Sequence, residues 1–225
     1  MQRASDLFNE EQRQRIEKAV IEAEAKTACE VVPVVASTSG RYDRAEDIIG
    51  LWLAVFAAIA VWLMSTRPSN ELGSWGGMPL YVGLLAMVCG IVIAFIVGVV
   101  VGSQIAWLRR LFIPRKQILE EVTARAREVF FDKRVHHTSG ATGMLIYVSL
   151  FERTAVVLGD REVLEKLGQS ALDRLCQQLT EGLHQGDATN AICRVIAEAG
   201  KQLSGPLPRV AGNVSELQNS LVLID

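Results

Sequence analysis

The chain has 225 residues, 50% of them apolar, with 23 lysines and arginines against 25 acidic residues and a formal charge of −2. That balance leaves no basic footprint for nucleic acid, which is excluded as a partner. Cys29, Cys89, Cys176 and Cys193 are scattered without a CxxC pair, so reduced thiols rather than a disulfide framework are expected.

Asn9 followed by Gln12 is a capping-box start, and Ile16, Ala19, Val20 and Ala23 recur at helical spacing behind it. The first element is therefore an amphipathic helix. The stretch 1–30 is charged and holds no apolar core of the kind a secretory signal needs, so the polar part of the chain is expected not to be exported. Next comes the run Val31-Val32-Pro33-Val34-Val35-Ala36, a β-branched strand in which Pro33 removes one ladder donor and so places it at or near a sheet edge.

Residues 48–66 and 79–108 carry no Asp, Glu or His, and no Lys or Arg inside their apolar stretches. A spanning helix needs about 20 largely apolar residues, so each is read as a membrane span. Trp52, Trp62, Trp75, Tyr81 and Trp107 stand near the expected ends, where amphipathic rings favour the headgroup zone. Arg41 and Arg44 precede the first span and Arg109, Arg110, Arg115 and Lys116 follow the second, while Arg67 alone lies between. Both termini should then be cytoplasmic, with a short periplasmic loop at 67–78 and cationic flanks suited to anionic lipid. The spans hold no ionisable group of the sort that marks an ion pathway. Gly50, Ala54 and Ala58 on the first, and Ala94, Gly98, Gly102 and Ala106 on the second, recur every four residues. Such ridges let helices approach closely in lipid. The expected antiparallel register sets Gly50 on Gly102, Ala54 on Gly98 and Ala58 on Ala94, the other use of these faces being a homo-oligomer.

Past Pro114, Ile118, Val122, Ala126, Val129 and Phe130 define a second amphipathic helix. Two strands follow, Gly143-Met144-Leu145-Ile146-Tyr147-Val148-Ser149 and Arg153-Thr154-Ala155-Val156-Val157-Leu158. Their connection, Leu150-Phe151-Glu152, is too short for a parallel crossover, so an antiparallel hairpin is expected. A helical pattern runs through Leu164, Leu167, Leu172, Leu175 and Leu179, and a last helix covers 189–203. Residues 205–225 read as a flexible tail in which Leu221-Val222-Leu223-Ile224 could add a short strand. The domain reading is thus 1–45 and 115–204 as two halves of one α/β domain, interrupted by a two-helix hairpin at 46–66 and 79–108.

The order helix, Glu30-Val-Val-Pro-Val-Val, helix, Gly143-Met-Leu-Ile-Tyr-Val-Ser, Arg153 to Gly159-Asp160, then Gly186-Asp187, resembles the TPM domain. His137-Thr138 through Gly143, with Leu150-Phe151-Glu152-Arg153, is similar to a bacterial membrane branch of that family in which a transmembrane hairpin splits the domain after its first strand. The resemblance covers 7–203. It implies a small mixed sheet flanked by helices at the bacterial inner membrane. The roles it implies are acid phosphatase activity, calcium binding, or assembly and quality control of membrane complexes. Many relatives carry an acidic residue where this chain has Gln169.

The candidate chemistry is thin. His136 and His137 precede the central strand, and a catalytic or metal role for His137 would need converging carboxylates or thiols. His184 is isolated. The loop Ser139-Gly140-Ala141-Thr142-Gly143 precedes a strand, whereas a phosphate loop follows one, and it lacks the Gly-Lys-Ser/Thr ending. Asp160, at a strand end, is the leading carboxylate for catalysis or metal binding, with helix capping as its simpler use. Glu152 is the second catalytic and metal candidate, and Asp187 is a further metal candidate or another cap. No cofactor is read from the residues themselves; calcium or magnesium enters through the resemblance and would need several of these oxygens in one place. The expected function is an interaction or assembly module on a bilayer with other membrane proteins as partners, and the alternative is a metal-dependent phosphatase.

Overall fold

Asn9 closes the expected capping box in the computed structural model, which describes residues 3–40, 43–65, 80–105, 113–138, 140–209 and 216–225. The Asn9 side chain accepts from Gln12 N at 2.8 Å and the Gln12 side chain accepts from Asn9 N at 2.9 Å. After a one-turn helix α1 (Ala4–Leu7), this box starts α2 (Glu10–Glu24), which buries Ile16, Val20 and Ala23. The strand β1 (Glu30–Ala36) follows, buried along its whole length. Two apolar helices, α3 (Asp43–Ser65) and α4 (Leu80–Gln104), come next. The chain then forms α5 (Arg115–Asp132), β2 (Gly143–Ser149), β3 (Thr154–Gly159), α6 (Arg161–Leu167), α7 (Gln169–His184), α8 (Ala188–Leu203) and β4 (Val222–Ile224).

The sheet order is β3-β2-β1-β4. β1 lies parallel to β2, with Glu30 opposite Gly143 and Ala36 opposite Ser149, and β2 pairs with β3 antiparallel as a hairpin. Helices sit on both faces, as continuous burial of β1 and β2 requires. Val31, Val35, Met144, Ile146, Val148, Ala155 and Val157 pack with α2, α7 and α8. Val32, Val34, Leu145 and Tyr147 point to the opposite face, which α5 covers with its buried stripe Ile118, Val122, Ala126, Val129 and Phe130. The architecture is therefore α/β with a mixed sheet.

Two details differ from the sequence reading. The helix through Leu164 and Leu179 is two helices, because Gly168 adopts φ 75° and breaks the run; Leu164, on the short piece, is 41% exposed. The segment read as a tail is tied down in part: Thr27 Oγ1 donates to Leu207 O at 2.7 Å, and Val222, Leu223 and Ile224 pair parallel with Val34, Val35 and Ala36. β1 lies near the edge as expected, one strand in, and β4, the short strand anticipated at 221–224, covers only its last three residues.

The chain divides into two compact units, Met1–Gly40 with Lys116–Asp225, and Arg41–Arg115. Within the second, α3 and α4 hold windows of 18 residues (Asp47–Met64) and 24 residues (Tyr81–Gln104) long and apolar enough to cross a membrane. Trp52, Trp62 and Tyr81 are exposed on them. The expected small-residue ridges do face one another, as Gly50, Ala54, Gly98 and Gly102 are buried. The register is shifted by one turn: a Cβ at Gly98 would lie 2.6 Å from the Gly50 Cα, so Gly50 meets Gly98 rather than Gly102. Trp75, Trp107, Ala106, Arg41, Arg67, Arg109, Arg110, Ser139 and the 67–78 loop lie outside the described residues.

Candidate functional site

Parallel strands bring their C-terminal ends together, and in α/β folds that end is where sites are built. Here β1, β2 and β4 deliver Ser37, Thr38, Ser39, Gly40, Ser149 and Asp225 to the same end of the sheet. Arg153 takes φ 50°, closing the β2–β3 turn, and the preceding Glu152 is 2% exposed. Its Oε1 accepts from Ser39 N at 2.8 Å, Gly40 N at 3.2 Å and Thr38 Oγ1 at 3.3 Å, and its Oε2 accepts from the Ser149 hydroxyl. Ser39 Oγ donates to Ser149 Oγ at 2.7 Å and lies 2.9 Å from the Tyr147 hydroxyl. Burial raises the Tyr147 pKa above the usual phenol value, and the Arg125 charge works against that rise.

The result is a hydroxyl chain ending on a carboxylate that takes at least four donors, about the number a carboxylate can accept. Such a group fastens backbone more readily than it takes a ligand. At the rim, Asp225 Oδ1 accepts from Ser37 Oγ at 3.0 Å and Ser5 N at 3.2 Å. Hydrogen bonds, those with Ser5 first, hold its carboxyl below the usual range.

The other sequence candidates fall elsewhere. Because β3 runs antiparallel to β2, Asp160 arrives beside Gly143, with Asp160 N donating to Gly143 O at 2.8 Å. That is the opposite end of the sheet from Glu152, a six-residue strand or roughly 20 Å away. Asp160 caps α6, its Oδ1 accepting from Arg161 N at 2.7 Å, while Oδ2 is buried without a hydrogen-bond partner among the described residues. Asp187 is exposed and caps α8 through Asn190 N at 2.9 Å. His137 is exposed, and His136 packs against Phe131 with ring centroids 4.8 Å apart and the rings tilted by 54°. His184 is exposed, and the exposed Gln169 bonds Asp173 Oδ1 at 2.9 Å. Glu152, Asp160 and Asp187 thus do not gather round a common point. Among the described residues no group of three His, Cys, Asp or Glu could hold a metal ion.

No family model matches the sequence, and no curated protein matches it. The fold has a counterpart in a solved structure. It is similar to the NMR structure of the BA42 protein from the psychrophilic bacterium Bizionia argentinensis, with TM-score 0.57 and 16% identity over 96% of this chain and 94% of that one. At this identity the likeness concerns the fold alone.

Two carboxylates escaped the sequence reading. Glu24 and Glu30 flank the buried Cys29 and are 7% and 5% exposed. Burial raises Glu24 to about 7, with the Glu30 charge adding to the rise. Burial also pushes the Cys29 thiol up strongly, and both glutamates add to that. The signal was present for Glu24, which stands four residues beyond Val20 on the apolar stripe of α2 and so had to point inward.

Proposed function

We propose that the chain is a bilayer-anchored interaction or assembly module, with a TPM-like α/β domain held at the cytoplasmic face of the bacterial inner membrane by the α3–α4 pair. One observation carries this reading: two helices long and apolar enough to span interrupt a single α/β unit between β1 and α5, so both halves of that unit must lie on one side of any bilayer the pair crosses. The cationic flanks make that side the cytoplasm. The carboxylates of the unit have structural uses, Glu152 fastening backbone amides and Asp160 and Asp187 capping separate helices, which supports this reading over the phosphatase.

Purification of the full chain in mild detergent tests the proposal. A stoichiometric membrane-protein partner is expected, without turnover of a generic phosphoester in calcium or magnesium. Metal-dependent turnover that disappears in Asp160→Asn would overturn it and establish the phosphatase instead.

A further inference from the structure

Where β4 ends, side chains take the place of the ladder. Backbone donors of β1 alternate between its neighbours: Glu30 N donates to Thr142 O, on the β2 side, at 3.2 Å. Val31, Pro33, Val35 and Ser37 therefore face the β4 side, where Ser37 N reaches Ile224 O at 2.8 Å. Pro33 has no N–H to offer, and Val31 N is already taken by Glu24 Oε1 at 3.0 Å. Pairing with β4 accordingly begins only at Val34. Upstream of that point the C-terminal segment hangs on carboxylates. Glu30 accepts from Glu216 N at 3.2 Å and from Leu217 N at 3.0 Å, and Glu24 bonds the Asn219 side chain.

We propose that Glu24 and Glu30 form a clasp on residues 216–225, which holds β4 against β1 when Glu24 carries a proton and loosens when Glu24 is charged. Among the described residues, the side chains facing Glu24 are Glu30 and the Cys29 thiol at the start of β1, Asn219 of the clasped segment, and Arg209, whose Nη1 donates to Glu24 O at 2.9 Å. The arginine opposes the rise in the Glu24 pKa without cancelling it.

The direction follows from linkage. In the closed state burial lifts Glu24 to about 7 although the bonds from Val31 N and Asn219 pull it down, and a lifted segment that admits water would let it fall toward the ordinary 4.5. Protonation therefore favours closure, fully so at the acid end of that window, and the support is lost as pH rises through 7. Within the window the opening constant climbs by up to about tenfold per pH unit, then levels off. Opening bares Val35 and Ser37 on the β1 edge.

Hydrogen exchange of the full chain in detergent micelles, corrected for intrinsic rates and followed from pH 4.5 to 8.5, decides the matter. Protection of 216–225 should fall by about tenfold or more between pH 5 and pH 7.5, a larger change than in 143–149. In Glu24→Gln this extra dependence should vanish. Arg209→Gln alters an exposed side chain and so serves if the first variant fails to fold; it should move the midpoint to higher pH, because it removes the charge that lowers Glu24. A wild-type profile for 216–225 that does not change with pH, or an unshifted profile in the folded variants, would overturn the clasp.

Discussion

Truncating Glu152 removes the acceptor of the half-buried Ser39 and Gly40 amides and of the buried Ser149 hydroxyl. Glu152→Ala should cost about 3 kcal/mol, read from denaturant unfolding of the purified chain, with Glu152→Gln retaining part of the loss because its oxygen still accepts. Asp160→Asn keeps a capping oxygen and should change stability by less than about 1 kcal/mol. Equal losses in the two variants would contradict the different roles assigned to these carboxylates. Gly143 is constrained by its surroundings, since the Val135 carbonyl occupies the place of a side chain there. Gly143→Ala should destabilise by about 2 kcal/mol or more, measured in the same way. Cys29, buried between two acids, should resist maleimide at pH 8 until the chain is denatured.

Helices and strands were largely written into the periodicity. The stripe of α5, the capping box of α2 and the β2–β3 hairpin each arise from near neighbours in sequence, so local pattern suffices to read them. Features that depend on distant partners were not readable in this way. The position of Glu152 against Ser39 joins residues on different strands, and nothing in the Leu150-Phe151-Glu152 connection names that partner. The α3–α4 register shows the same limit, as a four-residue ridge repeats itself and permits every one-turn slip. Paired cysteines in a Cys89→Ser background can distinguish the registers: Ala54→Cys with Ala94→Cys should oxidise readily, and Ala54→Cys with Gly98→Cys poorly. The reverse preference would restore the pairing of Gly50 with Gly102.

At the scale of the molecule, the two units are a sequence insertion and the domain that receives it. Replacing residues 48–108 with a short flexible linker should therefore yield a soluble protein whose amide spectrum is dispersed and whose unfolding is cooperative. An insoluble or unfolded product would show that the α/β unit depends on the apolar pair. The same insertion has a consequence in time. The register of β1 is set by β2, which is made more than a hundred residues later. At typical synthesis rates that is a wait on the order of ten seconds, during which a β-branched strand has neither of its sheet neighbours. Pro33 and the nearby Glu24 then act as guards, denying a stray chain two of the donors along one flank of β1 until its proper neighbours emerge.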